Sequence, residues 1–326
     1  LLPKKEQMKY HINLDNFKEH WFSCKGELPL VASHFDDDMG KKFIADVDEN
    51  LYGLYSPLLE RKKTNYSIDE CDYSLVPFKL SLDDPTPFIS EAQQNGKKII
   101  MFYNDDDERI IEIPSNIGIV FRTSGYRSKD TGVFGLPTFS ADGFKGVYTT
   151  KDSLSFCGCP YTHPLRNEII NSLKENVTSN FILRDKFHAG GIDPTQAWND
   201  FTSNLEESLY SLCVRGTGNF SYRLGEAFMM ARIPVIVDTD CHFPFWNEIP
   251  YQTNCIIIKA DEHKKGPWAI PEKITQFHSR HTEEELIQIQ KENREIWQNY
   301  FTPNGFVDAI DNFLVETNTK LGRMSV

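Results

Sequence analysis

The stretch Leu209–Phe245 constrains the fold of this chain more than any other part of the sequence. It begins with an apolar run typical of a buried strand and continues through the turn RGTGNF at 215–220. Apolar residues then recur at helical spacing over 221–231, and a β-branched run covers 233–237. A strand, a glycine-rich turn, a helix and a second strand in this order predict a parallel βαβ unit.

The turn and the start of the predicted helix carry groups that suit a phosphate. Helix N-termini present unpaired N–H groups, and Gly216 and Gly218 let an anion approach the backbone closely. Ser221 is the predicted N-cap. Arg215 and Arg223 add forked cationic donors, which match phosphate oxygens. The stretch therefore predicts an anion site between its two strands.

Charge sharpens this prediction, because the chain as a whole has a formal charge of -12. Arg215, Arg223 and Arg232 lie within eighteen residues and form a local excess of positive charge. Glu226 follows Arg223 by three residues and therefore lies on the same helix face. Its carboxylate can accept hydrogen bonds from a ribose diol. Together these groups predict a nucleotide diphosphate ligand.

At these residues the chain resembles the C-terminal half of exostosin-type glycosyltransferases. The shared segments are CVRG at 213–216, SYRLGEA at 221–227, IPVI at 233–236 and FPF at 243–245. Val214 stands where the family usually has proline, and Ala231-Arg232 where it usually has Gly-Cys; neither change removes a donor from the site. A fainter likeness at 72–77 and 135–139 extends the resemblance over residues 72 to 258.

The resemblance implies an inverting, metal-independent transfer of a sugar from a UDP-sugar, such as UDP-xylose or UDP-glucuronate, to a hydroxyl of an oligosaccharide or glycoprotein glycan. Tyr222 is implied as a further donor contact. Arg166 follows a similar glycine turn, so the resemblance implies a second arginine contact to the diphosphate, although a solvated surface arginine is equally compatible with the sequence. His242 precedes the FPF segment and is a candidate contact to the sugar, or a surface-loop histidine.

Length and periodicity predict two α/β domains. A chain of 326 residues exceeds one small core, and apolar strands recur with helices between them. Together with the resemblance, this implies a Rossmann-like acceptor-binding domain over 1–150 and a Rossmann-like nucleotide-sugar-binding domain over 151–300, facing each other across a cleft. A closing helix over 301–326 is expected to pack back on the first domain, which is the glycosyltransferase architecture called GT-B.

An in-line displacement needs one general base. Asp83 and Asp84 are the first candidates, because they follow a predicted strand at its C-terminal end, where open α/β sheets bind ligands. Asp105 and Asp106 are runners-up for the same reason, while either pair is also compatible with an ordinary solvated strand exit. Three histidines are further candidates: His34, His163 and His242.

Two motifs, Asp36-x-Asp38 and Asp105-x-Asp107, match the D-x-D signature of metal-dependent glycosyltransferases. Clustered carboxylates suit hard cations. That class lacks the arginine and glutamate helix found here, so we expect neither a metal nor a cofactor besides the donor substrate. The segment 46–50 begins like a calcium loop, but Leu51 occupies the position that requires glycine.

Other interpretations remain open. The turn is a broken G-x-G-x-x-G whose third glycine is missing, which disfavours a dehydrogenase. An ordinary αβ unit with surface arginines is a simpler alternative for the site. A catalytically inactive carbohydrate-binding or scaffold protein with the same fold is the main alternative for the function.

Composition limits partners and compartment. The negative charge argues against a nucleic-acid partner. The sequence contains no run of eighteen consecutive apolar residues, so it predicts no membrane span. Seven scattered cysteines favour a reducing compartment. The sequon at Asn219 lies in the predicted phosphate turn, so we expect it to be unused. These features favour the cytoplasm, in a viral or microbial setting, with a Golgi lumen enzyme whose N-terminal anchor was removed as the alternative.

Overall fold

The computed structural model describes residues 8–13, 30, 33–34, 64–76, 86–175, 178–186, 191–262 and 269–324, with side chains up to Val315. The chain forms two compact units. The first comprises residues 1–123, 127–141 and 299–326, and the second comprises residues 124–126 and 142–298. Among the described residues, no helix combines the length and apolar character that crossing a membrane requires.

The first unit is built on a parallel sheet. Its described strands are β1 (Tyr10–His11), β2 (Tyr73–Val76), β3 (Lys98–Tyr103), β4 (Gly118–Arg122) and β5 (Val133–Gly135), and they follow this order across the sheet. Helix α1 (Thr86–Gln94) precedes β3. Every residue of β2 and β4 is buried, as expected for parallel strands that are covered on both faces.

The second unit also contains a parallel sheet. Its described strands are β6 (Leu154–Gly158), β7 (Ser179–Leu183), β8 (Tyr210–Cys213), β9 (Ile233–Asp238) and β10 (Ile256–Lys259). Across the sheet their order is β7-β6-β8-β9-β10, and every neighbouring pair is parallel. The chain therefore moves outward from β6 to β7 and then returns to the other side of β6 to form β8.

Helices connect these strands and close the chain. They are α2 (Pro164–Leu173), α3 (Pro194–Glu206), α4 (Arg223–Met229), α5 (Tyr251–Asn254), α6 (Ala269–Ser279), α7 (Glu283–Tyr300) and α8 (Pro303–Met324). The predicted α/β class, with parallel strands and intervening helices, is confirmed. In the first unit, α8 packs on the sheet through Phe306, whose ring contacts Phe102 and Phe121.

Buried apolar side chains from neighbouring strands form the core of the second unit. Leu212 of β8, Val235 of β9 and Ile258 of β10 are all fully buried. Each such side chain contributes about 1.5–3 kcal/mol of transfer free energy. This packing fixes the strands laterally, so the loops at their ends start from a rigid base.

Capping residues explain where two helices begin. A capping box opens α7, because Thr282 N donates to Glu285 Oε2 at 2.8 Å and Glu285 N donates to Thr282 Oγ1 at 3.2 Å. In α2, His163 Nδ1 accepts from Leu165 N at 3.2 Å, and Pro164 occupies the first turn, where its missing N–H is not needed.

Two predictions about the helix after the glycine-rich turn are wrong. Helix α4 has Tyr222 as its N-cap, without a side-chain capping bond, so Ser221 is not the cap. The helix ends at Met229 because Ala231 adopts a left-handed φ of 56°, which terminates a helix.

Candidate functional site

The strand order of the second sheet reverses between β6 and β8. In open α/β sheets, ligands bind in the crevice outside the carboxyl ends of the strands at such a reversal. The chain leaves β6 at Gly158 towards α2 and leaves β8 at Cys213 towards α4. Topology therefore identifies the loops after β6 and β8 as the candidate site, and the second of these is the stretch that the sequence singled out.

Arg166, in the first turn of α2, bridges the two loops. Its Nε donates to Arg215 O at 2.9 Å and its Nη2 donates to Val214 O at 2.8 Å. A third bond, at 3.4 Å, joins Nη1 to Cys159 O. Burial, followed by the repulsion of Arg223, lowers the pKa of Arg166 to about 10. The guanidinium is therefore held in place by neutral carbonyls, while its charge has no acid partner among these contacts.

Arg223, the first residue of α4, reaches across to β6. Its Nη1 donates to Glu226 Oε2 at 2.7 Å, and its Nη2 donates to Cys157 O. The guanidinium carbon lies 4.6 Å from the ring centroid of Phe201, within cation–π range. Among the described residues these are two acceptors for a group with five N–H donors, which leaves donors for a ligand.

Phe156 of β6 lies within cation–π range of both guanidinium groups. Its ring centroid lies 5.7 Å from the guanidinium carbon of Arg166 and 6.0 Å from that of Arg223. A strand phenylalanine carries no signal of this role in the sequence, because its partners come from helices on either side of the strand reversal. Phe156 is therefore a site residue that sequence reasoning missed.

Arg215 turns back onto its own loop. Its Nη2 donates to Thr217 O at 2.9 Å and its Nη1 donates to Asn219 Oδ1 at 3.3 Å. The residue is only 8% exposed. Its charge remains at the predicted site, and these bonds brace the glycine-rich turn.

The turn itself is closed by backbone bonds. Gly216 N donates to Phe220 O at 3.1 Å, and Phe220 N donates to Gly218 O at 2.9 Å. A Cβ at Gly216 would lie 3.2 Å from Nη2 of Arg166, so a glycine here allows the arginine to approach the backbone. The glycines thus shape the turn and admit Arg166.

Asn219 is buried at the centre of this loop. It is 0% exposed, and its Nδ2 donates to Gly125 O at 2.8 Å and to Thr239 O at 3.2 Å. A glycan on this nitrogen would displace those bonds and would have no path to solvent. The sequon at Asn219 therefore cannot be occupied in the folded chain.

Positive charge exceeds negative charge in this cluster. Arg166, Arg215 and Arg223 form this cluster, and the described contacts of Arg166 and Arg223 bring one carboxylate, that of Glu226, to these two guanidinium groups. Such a surplus next to a crevice favours an anionic ligand. Arg232 does not belong to the cluster, because it is fully buried directly before β9 begins and donates to Met230 O at 2.7 Å.

The remaining predicted contacts lie in the loops around this cluster. Ser221 is half-buried and Tyr222 is 49% exposed, with its ring centroid 5.1 Å from that of Phe220. His242 is buried in the loop between β9 and α5. The structure thus places Ser221 and Tyr222 directly before Arg223, and His242 on the loop after the adjacent strand.

The aspartate candidates for the general base belong to the first unit, whereas His163 and His242 belong to the second. Asp83 and Asp84 lie outside the described residues. Asp105 follows β3, is half-buried and accepts from Asp107 N at 3.3 Å, while Asp106 is exposed. Both runners-up therefore lie where the sequence put them, at the carboxyl end of a strand.

Two of the alternative histidines have structural partners. His163 caps α2, and the buried His34 has Nδ1 2.8 Å from Leu30 O. The motifs at 36–38 and 46–50 lie outside the described residues. In the described ranges there is no group of three or more His, Cys, Asp or Glu side chains placed to hold a metal ion.

The chain matches no family model and no curated protein. Among solved structures it is similar to a point mutant of S. aureus TarM in complex with Fondaparinux, alpha-GlcNAc-glycerol and UDP, with 11% identity and a TM-score of 0.38. It is also similar to a second crystal structure of TarM, with 13% identity and the same TM-score. Each match covers 74% of this chain and 50% or 49% of the TarM chain, so this chain spans about half the length of those structures. A TM-score this low does not indicate what the chain acts on.

Proposed function

We propose that this chain is a glycosyltransferase that binds a UDP-sugar at the arginine cluster and transfers the sugar to a hydroxyl of a glycan. The observation that carries the proposal is the surplus of guanidinium charge at the strand reversal of the second sheet, around Arg166 and Arg223. A diphosphate supplies the missing negative charge. The resemblance of the same residues to exostosin-type glycosyltransferases supports the choice of ligand.

The cluster suits the chemistry of a leaving diphosphate. Negative charge develops on the diphosphate as the sugar leaves, and fixed cationic donors stabilise that charge without reorganising. Arg166 is already held by the carbonyls of Val214 and Arg215, and Arg223 by Cys157 and a phenylalanine ring. Both groups are therefore preorganised before the donor arrives.

Glu226 is proposed to bind the ribose. Its Oε2 accepts from Arg223 at 2.7 Å, which orients the carboxylate. The second oxygen of the same group can accept from the ribose hydroxyls while the ion pair stays intact. Nucleotide and diphosphate recognition would then share one turn of α4.

The finer features remain proposals. We expect an inverting, metal-independent reaction in which the acceptor hydroxyl attacks in line, with Asp83 or Asp84 as the general base and Asp105 or Asp106 as runners-up. The first unit would bind the acceptor and the second the donor. The cytoplasmic location likewise remains a prediction from the sequence.

Calorimetric titration with UDP tests the donor site. Wild-type protein should bind UDP, and Arg166→Ala and Arg223→Ala should each weaken binding by roughly tenfold to a hundredfold, because hydrogen bonds to charged groups contribute about 1.5–3 kcal/mol. Arg294→Ala is the matched control. Arg294 lies on α7 and pairs with Asp142 at 2.6 Å. Wild-type protein that binds no UDP, or equal losses in all three variants, would contradict the proposal.

Donor hydrolysis tests the activity separately. A panel of UDP-sugars, including UDP-xylose, UDP-glucuronate, UDP-galactose, UDP-arabinose and UDP-N-acetylglucosamine, should contain at least one that the protein hydrolyses slowly. Glycan binding without hydrolysis of any donor would instead indicate a non-enzymatic carbohydrate-binding protein.

A further inference from the structure

We infer that Asn219 is the positioning residue of the donor site, holding the glycine-rich turn and Arg215 in the form that accepts a diphosphate. The inference rests on the proposed function, because it concerns the same loop. It adds a residue that neither the sequence pattern nor the resemblance assigns to the site.

The hydrogen bonds of Asn219 join three separate segments of the second unit. Its backbone N donates to Ser124 Oγ at 2.8 Å, and its Nδ2 donates to Gly125 O and Thr239 O. Its Oδ1 accepts from Arg215 at 3.3 Å and from Thr239 Oγ1 at 2.5 Å. One side chain therefore connects the segment after β4, the loop after β8 and the loop after β9.

Asparagine fits this position because it both donates and accepts through one short side chain. The amide nitrogen faces two carbonyls, while the amide oxygen faces a guanidinium and a hydroxyl. Since the site is fully buried, a substitution leaves these groups without water to replace the lost partner. The turn would then sample other conformations.

Loss of this order would lower ligand affinity as well as stability. Arg215 donates to Asn219 Oδ1 and Thr217 O, both within the turn, so a mobile turn also weakens these two bonds of the guanidinium. A ligand that binds a mobile turn must supply the free energy of ordering it, which reduces the apparent affinity. A loss of affinity in addition to stability therefore distinguishes a positioning role of Asn219 from a purely structural one.

Asn293 on α7 offers a matched control. It is also 0% exposed in the second unit, and its Nδ2 also donates to two carbonyls, Arg232 O at 2.9 Å and Asn254 O at 3.2 Å. None of these partners belongs to the arginine cluster. Asn219→Ala and Asn293→Ala therefore remove the same kind of buried amide at different places.

The test compares the UDP dissociation constant and the melting temperature of both variants. Both substitutions should lower the melting temperature, but only Asn219→Ala should weaken UDP binding, by roughly tenfold, which corresponds to about 1.4 kcal/mol. Thr239→Val keeps the side-chain shape and removes one bond to Asn219 Oδ1, so we expect it to weaken UDP binding less than Asn219→Ala does. It replaces Asn219→Ala in the test if that variant does not fold. Asn219→Asp removes the amide donors and keeps the acceptor, so it too should bind UDP more weakly.

The outcomes separate this inference from the proposed function. If wild-type protein binds UDP and both Thr239→Val and Asn219→Asp bind it equally well, the positioning role is wrong while the donor site stands. Equal loss of affinity in Asn293→Ala would also overturn it, since the effect would then follow stability alone. If wild-type protein does not bind UDP, the proposed function fails and the inference fails with it.

Discussion

The carboxyl ends of the two parallel sheets both hold buried arginine, but they neutralise it differently. At the end of β4, Arg122 lies 3.4 Å from Asp130, and both side chains are 0% exposed. Nearby, Arg109 pairs with Asp107 at 2.5 Å. In the second sheet, the carboxylate of Glu226 is the acid among the described contacts of Arg166 and Arg223; it pairs with Arg223, and Arg166 is held by carbonyls instead.

The difference teaches how to distinguish a structural charge from a binding charge. A buried ion pair is complete in itself, and removing one partner leaves a charge without compensation. A surplus of like charges, held by carbonyls and rings, is complete only with a ligand. The strand orders agree with this interpretation, because the described first sheet runs without reversal while the second reverses at the cluster.

The largest expected effect is on stability and concerns the first sheet, in which Arg122 is paired with Asp130. Asp130→Asn keeps the acceptor for Ile111 N, which lies 2.8 Å from Asp130 Oδ1, but removes the charge opposite Arg122. We expect the free energy of unfolding to fall by about 3–5 kcal/mol, as for other buried pairs broken on one side. Urea denaturation measures this fall, and UDP affinity should not change.

Asp142→Asn is the control for that prediction. Asp142 also pairs with an arginine, Arg294 at 2.6 Å, but its side chain is 40% exposed. The loss should therefore be less than about 1 kcal/mol. Similar losses for both variants would mean that burial does not distinguish the two pairs, and the comparison between the sheets would lose its basis.

The next effect is on ligand binding and concerns the second sheet, where guanidinium groups outnumber their acid partner in the described contacts. Glu226→Ala should weaken UDP binding by about tenfold, through loss of a hydrogen bond to the ribose, while inorganic pyrophosphate binds as well as before or better. The reason is that the variant loses an acid next to Arg223 and keeps all three arginines. Calorimetry with both ligands measures the two changes.

A different pattern would revise the role of Glu226. If UDP and pyrophosphate weaken by the same factor, the carboxylate acts only by orienting Arg223. The free energy of unfolding should change by no more than about 1 kcal/mol, because the Arg223–Glu226 pair is partly exposed.

The smallest effect concerns pH and the first sheet. Burial raises the pKa of Asp107, but hydrogen bonds from Tyr103 and Arg109 outweigh it and lower the pKa from 3.8 to about 2. A lowered pKa in the folded state stabilises the protein above the unfolded value of 3.8, and this contribution disappears as pH falls towards 2. The stability difference between wild-type protein and Asp107→Asn should therefore stay constant above pH 3.8 and shrink below it. Urea denaturation between about pH 6 and about pH 2.5 measures it, and a difference that grows on acidification would contradict the sign.

Much of the fold could be predicted from the sequence because its signals are local. The β-branched run at 233–237 predicted most of β9 at Ile233–Asp238, and a continuous apolar run in the sequence likewise marks β3 at Lys98–Tyr103. The capping box at Thr282 gave the start of α7. The order of strands across the second sheet could not be predicted, because a periodic pattern records which residues are buried and not which strand lies beside which.

The candidate site was predictable in composition and less so in detail. The residue types at 215–226 indicated an anion, and Arg223 and Glu226 do lie side by side as their spacing predicted. The sequence did not reveal that Arg215 folds back on its turn, since a loop side chain has no period to fix its direction. Arg166 was implied by resemblance alone, and its bonds to Val214 and Arg215 follow from the pairing of β6 with β8.

The three residues Ser124–Tyr126 give the second unit a composite origin. They belong to that unit although the chain on either side of them belongs to the first. A fragment cut as 142–298 would look like a self-contained domain, yet it would lack the Ser124 hydroxyl and the Gly125 carbonyl that accept from Asn219. Since each buried donor without an acceptor costs about 1–3 kcal/mol, the glycine-rich turn would be less stable in the fragment than in the full chain. Recombination between related chains would therefore preserve this turn only when residues 124–126 come from the same parent as the turn.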